Sequence, residues 1–183
     1  MKHFQLYLFT LCTLGLVVFT ACSSDDKDES NPENPNNGAV HSYHIILENG
    51  DEFKGEVPKY TSGVFYYSAF VEHDEDANKD IVAAVLYETG KTNIGIGFHV
   101  NENNQPIPES NPSGISFNEW GAEKVYKSVE YTATIENYKK QTIQAYGEEA
   151  DIASFTLHFE GTFANSQNDD IVSASGTITI AAP

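Results

Sequence analysis

Strict alternation of apolar and polar residues runs through the last third of the chain and limits what it can become. Phe155, Leu157, Phe159, Gly161 and Phe163 alternate with Thr156, His158, Glu160 and Thr162. Val129, Tyr131, Ala133 and Ile135 alternate with Glu130, Thr132, Thr134 and Glu136. Val172, Ala174, Gly176, Ile178 and Ile180 repeat the period once more. A period of two places every second side chain on one face of an extended strand. These segments therefore read as half-buried antiparallel strands with one wet face.

The same signal extends back to residue 40. Segments 41–47 and 52–57 flank Glu48-Asn49-Gly50-Asp51, and Asn-Gly accepts the positive φ angles of a type I′ turn, so the pair reads as a hairpin. Segments 63–71 (GVFYYSAFV) and 81–87 (IVAAVLY) are apolar on both faces, the mark of central or doubly covered strands. In segment 93–100, Ile94, Ile96, Phe98 and Val100 share a face, while Gly95 and Gly97 leave the other bare, as a groove or a close contact requires. Only 137–149 carries a weak pattern that would suit a short helix. The reading is an all-β domain, an antiparallel β-sandwich of about eight to nine strands, with a closed lipocalin-like β-barrel as the alternative.

The N-terminus reads as an address. Lys2 and His3 precede an apolar stretch from Leu6 to Phe19, which is short for a membrane span and ends in small residues before Cys22. Phe19-Thr20-Ala21-Cys22 resembles the lipobox of bacterial lipoproteins, with Phe19 in place of the more usual leucine. The following Ser23-Ser24-Asp25-Asp26-Lys27-Asp28-Glu29 resembles the acidic export signal of surface lipoproteins in the Bacteroidota. That resemblance implies a signal peptide over 1–21 and diacylglycerol plus an acyl chain (palmitate) on Cys22. It also implies an outer-membrane, lipid-anchored location facing the cell exterior. Residues 22–38, rich in Asn, Pro and acids, form an acidic flexible tether, and 39–183 a single β domain. With Cys12 in the signal and Cys22 acylated, the mature chain holds no thiol for disulfides or catalysis.

Charge narrows the partners. The chain carries a net charge of −17 and its basic residues are all lysine. Without arginine it lacks the bidentate fork used for phosphates, and nucleic acid is excluded as a partner. The membrane is met through the lipid anchor only.

Two stretches are candidate sites. In the run 73–80 (HDEDANKD), Asp74, Asp76, Asn78 and Asp80 place oxygen at every second residue, as a loop wrapped around calcium would. Lys79 and Val85 stand where an EF-hand needs glycine and glutamate, so a looser Ca2+ loop or a solvated acidic hairpin is what remains. The second stretch, 101–114, contains Pro106, Pro108 and Pro112 and leads to Trp120 and Tyr126, whose rings would stack on sugars. His41 and His44 fall on opposite strand faces and cannot share a metal, and His99 and His158 sit at polar-face positions. Glu130, Glu136 and Glu160 are the carboxylates from which a hydrolase would draw its pair. No H-E-x-x-H, G-x-S-x-G or Walker-type loop occurs. The expectation is a non-enzymatic surface binding module, for glycan. The alternatives are an accessory or structural subunit of an outer-membrane protein assembly and a small hydrolase. If Cys22 is the acylated residue, Cys22→Ser abolishes metabolic labelling by radioactive palmitate and leaves the chain at its unprocessed length on a gel.

Overall fold

The computed structural model describes residues 40–57, 60–61, 64–65, 69–88, 90–108, 113–119, 121–145, 148–168 and 170–182. Cys22 and the tether lie outside them. Twelve strands are described, and no helix. They are β1 (His41–Leu47), β2 (Glu52–Val57), β3 (Tyr60–Thr61), β4 (Val64–Phe65), β5 (Ala69–Asp74) and β6 (Lys79–Glu88). Then follow β7 (Thr92–Val100), β8 (Pro106–Ile107), β9 (Ser113–Glu119), β10 (Tyr126–Ala145), β11 (Glu148–Asn165) and β12 (Ile171–Ile180). Nine of them form one hydrogen-bonded path, β10-β9-β7-β6-β5-β11-β12-β1-β2. β8 adds to β7, and β3 and β4 pair with each other. Every pairing is antiparallel.

The fold is an antiparallel β-sandwich in which two layers share their longest strands. β11 pairs along its length with β10, while its other edge passes from β12 (Phe155–Ala164) to β5 (Asp151–Ala153). A strand of 20 residues would run roughly 66 Å if straight, far beyond an ordinary strand, so β10 has to bend. Register shifts mark the bends, between Ser128 and Glu130 and between Glu136 and Lys139. Asn137 takes a positive φ of 57° at the second, and asparagine tolerates that region where most residues do not. Strands that change layer through such bulges make the corners of a sandwich.

The layers meet through aromatic rings. Phe53 of β2 contacts Phe117 of β9 at 5.1 Å, Phe117 contacts Phe163 of β11 at 5.2 Å, and Phe98 of β7 contacts Phe155 at 6.2 Å. The inward sets read from alternation are the core: Ile94, Ile96 and Phe98, then Phe155, Leu157, Phe159 and Phe163, then Ala174, Ile178 and Ile180.

Three expectations change. The stretch 137–149 continues the β10–β11 hairpin in place of a helix, its described residues pairing from Lys139↔Ser154 to Ala145↔Glu148. Val129 is 61% exposed and not inward, because the bulge inserts an extra residue and turns its side chain to the outer face. The described parts of the apolar segment 63–71 belong to different sheets: β4 pairs with β3, and β5 joins the large sheet between β6 and β11.

The first bulge leans on a glycine. A Cβ at Gly161 would collide with the Glu130 carbonyl oxygen and lie 2.6 Å from the Tyr131 Cα, whereas one at Gly97 would meet nothing within 4 Å. Gly161→Ala should therefore cost about 1–3 kcal/mol, as overpacking does. Gly97→Ala should leave the urea midpoint unchanged or raise it. Equal midpoints for wild type and Gly161→Ala would remove the bulge from the account of the bend.

Candidate functional site

The acidic hairpin does not gather its oxygens. Paired residues share a face, so Asp80, opposite His73, points to one side of the β5–β6 hairpin and Asp74 to the other. Asp74 Oδ1 accepts the backbone N–H groups of Asp76 and Ala77, and its Oδ2 lies 2.9 Å from His99 Nε2. Asp80 meets His73 Nδ1 and Lys140 Nζ, each at 3.0 Å, and Lys140 reaches on to Asp151 at 3.1 Å. Asn78 takes a positive φ of 51° to close the turn. Asp74, Asn78 and Asp80 thus serve the turn and its neighbours, while the Asp76 side chain stays exposed, and among the described residues no group of three His, Cys, Asp or Glu side chains converges as metal ligands would.

His99, expected on a polar face, is 1% exposed: it is on the outer face of β7 but is covered where it bonds Asp74. His41 and His44 do fall on opposite faces, the first buried and the second exposed beside Glu52. Tyr126 is 4% exposed and stacks on Phe117 at 5.1 Å, so its ring is core and offers no platform to a ligand. Trp120 lies outside the described residues.

The proline-containing segment after β7 is held in place. Asn101 Oδ1 accepts the N–H groups of Asn103 and Gln105. The Gln105 side chain then behaves as a short strand: its Oε1 accepts the Ile135 N–H at 2.9 Å and its Nε2 donates to the Ile135 carbonyl at 3.0 Å. This pins 101–108 against β10 beyond the point where β9 pairs with it, at Tyr126 and Lys127.

The pinned segment becomes one wall of an open cleft of about 1160 Å³. Its floor is the outer face of four strands. One row runs Thr132, Glu160, Ser175 and Ile46, and the next Glu130, Thr162 and Ser173. Pro106, Ile107 and Pro108 stand on the wall, Glu48 lies at the β1 end, and the bulged Val129 adds an apolar side chain. Glu130 and Glu160 are diagonal neighbours on adjacent strands, both exposed. Glu136 lies further along β10, 3.6 Å from His158 Nε2. The cleft thus offers hydroxyls and carboxylates for a ligand's polar edge and prolines and aliphatics for its apolar face. Alternation had already set these floor residues on one wet face; the wall depends on Gln105, whose pairing leaves no sequence signal.

Comparison with known proteins finds no family model, curated protein or solved structure that matches the chain.

The ion pairs at the acidic hairpin set a pH dependence. His73 first, then Lys140, holds the Asp80 carboxyl below its ordinary value against the opposing effect of burial, and Thr142 with Lys140 does the same for Asp151. A depressed folded pKa gives stability that is present above the ordinary carboxylate value near 4 and lost as pH falls through the folded one. Lys140, raised by Asp80, keeps its contribution up to the lysine range, above pH ~10. Asp80→Asn should thus be less stable than wild type by about 0.5–1 kcal/mol at pH 6–7, given partial exposure. That gap should shrink as pH falls below the ordinary carboxylate range; a urea-midpoint gap that keeps its full size from pH 6 down to pH ~2 would contradict the assignment.

Proposed function

We propose that the chain is a lipid-anchored, outer-membrane, cell-surface binding module whose cleft holds glycan without transforming it. The observation that carries this reading is the composition of the cleft. Glu130, Thr132, Glu160, Thr162, Ser173 and Ser175 present acceptors and hydroxyls in two parallel rows, with Pro106 and Ile107 beside them. Sugar hydroxyls bond along such rows, and the C–H faces of the rings rest against prolines and aliphatic side chains. Both diagonal glutamates stand on an open face, which suits holding a ligand better than the water-excluded chemistry of a hydrolase. The lipobox-like segment ending in Cys22 and the acidic run that follows it support the surface location.

The test is a glycan panel against the purified chain, read by calorimetric titration. A bound oligosaccharide should lose about tenfold in affinity in Glu160→Ala or Thr162→Val, the cost of one hydrogen bond to a charged or buried partner. Both variants should melt within about 2 °C of wild type, as surface changes do. Binding that is unaffected in both, or no binding across the panel, would overturn the proposal.

A further inference from the structure

The cleft on the outer face of β10, β11, β12 and β1 carries charge of one sign. Glu48, Glu130 and Glu160 line it, and among the described residues no lysine or histidine does. No ion pair among the described residues involves any of the three. Farther along the same face Glu52 pairs with His44 and Lys54, and Glu136 lies 3.6 Å from His158. Lys127 stands one row beyond Glu130, level with Ala164, and is not part of the lining. Uncompensated charge of one sign in a concave site selects the charge of what enters it.

Register fixes how these charges are spaced. Glu130 is level with Thr162 and Glu160 with Thr132, so the two glutamates are diagonal neighbours, about 7 Å apart. Carboxylates at that separation can both accept from one ammonium group between them, which has three N–H donors and no acceptor. Glu48 belongs to the other end of the Glu130 row, its backbone N–H bonded to the Ser173 carbonyl. Ser173 is level with Thr162, so three strand spacings, roughly 14 Å, separate Glu48 from Glu130. Thr162 and Ser173 fill that interval with hydroxyls. Two anionic stations thus stand at the ends of a neutral, hydroxyl-bearing row, beside the wall of Pro106 and Pro108.

We propose that the glycan taken by this cleft is cationic, an oligosaccharide of amino-hexoses with free, unacetylated amines. The proposal rests on the glycan reading given above and adds to it the class of sugar. One ring's ammonium is held between Glu130 and Glu160, and another farther along the chain meets Glu48. The ring hydroxyls between them bond Thr162 and Ser173. Charge-assisted hydrogen bonds are roughly twice as strong as neutral ones, so a free amine outranks an acetamide at the same position. Glycans bearing carboxylates or sulfates are rejected, because like charges juxtaposed across a site oppose binding. A lysine-rich peptide carries the same charge on long mobile stems, whose ordering opposes binding, whereas a sugar amine is fixed on a rigid ring.

The experiment is calorimetric titration of the purified chain at pH ~6 and low salt, where carboxylates are ionised and sugar amines hold their proton. The ligands are hexaoses of β-linked glucosamine, of its N-acetylated form and of galacturonic acid, with oligolysine as the peptide probe. The expected result is glucosamine binding about tenfold tighter than the acetylated form, and no binding of the galacturonic acid chain. Glu130→Gln and Glu160→Gln keep the side-chain shape and remove the charge. Each should weaken the glucosamine chain about tenfold and leave the acetylated one unchanged. Glu75→Gln makes the same change of net charge on the exposed acidic hairpin and should alter neither affinity. If the acetylated and free-amine chains bind alike and both weaken in Thr162→Val, the glycan reading stands and the cationic class falls. Tightest binding by galacturonic acid has the same meaning. If Glu75→Gln weakens binding as much as Glu130→Gln, the attraction is to net charge and the proposal falls. Binding of oligolysine alone, or of nothing, overturns both readings.

Discussion

The pairing of β10 with β11 is the interaction on which the rest of this structure depends. It is the longest ladder among the described residues, running from Tyr126↔Asn165 to Ala145↔Glu148, and it belongs to both layers. Because β11 hands its other edge from β12 to β5, the two layers are hydrogen-bonded to each other and not merely packed. Two bulges make this possible, and each has its residue: Gly161 lets β10 lean onto β11, and Asn137 accepts the positive φ of the second bend. The first bulge also turns Val129 outward into the cleft, so the device that bends the strand helps to shape the proposed site.

The two ends of the β5–β6–β7 layer are closed by polar contacts. At one, Tyr43 donates to Glu88 at 2.6 Å and Lys91 pairs with the same carboxylate. Burial first, and the Glu88 hydrogen bond second, push the Tyr43 hydroxyl up to about 12, so it stays a donor at any physiological pH. At the other end, Asp80, Lys140 and Asp151 form a chain of ion pairs beside the ring of Tyr138, which stacks on Phe155 at 6.3 Å. The acidic run 73–80 is spent on this closure and on the Asp74–His99 contact. Two of its carboxylates, Asp74 and Asp80, are thus taken by nearby N–H groups and a cation, while Glu75 and Asp76 stay exposed.

Most of the fold was legible because its signal is local. The β1–β2 hairpin follows from Gly50 and the flanking alternation, but its register, His41↔Val57 to Ile46↔Glu52, closes on Leu47 and Asp51 around a three-residue loop in which Gly50 and not Asn49 takes the positive φ, one residue wider than the two-residue Asn-Gly turn. The inward faces of β7, β11 and β12 were equally plain. What was not legible is non-local. Nothing near Val129 announces a bulge, since the residue that permits it, Gly161, is 32 positions away. The segment 137–149 lost its period because a bulge at Asn137 shifts the alternation by one residue, and a broken strand pattern imitates a weak helical one. Tyr126 looked like a ligand platform because exposure cannot be read from residue type. The cleft was half visible: its hydroxyl- and carboxylate-bearing floor lies in the alternation, while its wall depends on one glutamine side chain bonding a strand edge 30 residues on.

Among the functional claims, the central one is that the outer face of β10, β11 and β12 is a binding surface. Backbone amide NMR spectra of the chain, recorded during titration with a glycan that shifts its thermal midpoint, test it most directly. The expected result is a contiguous set of perturbed amides at Glu130–Thr132, Glu160–Thr162 and Ser173–Ser175. Saturating ligand that leaves those nine amides unperturbed would contradict it.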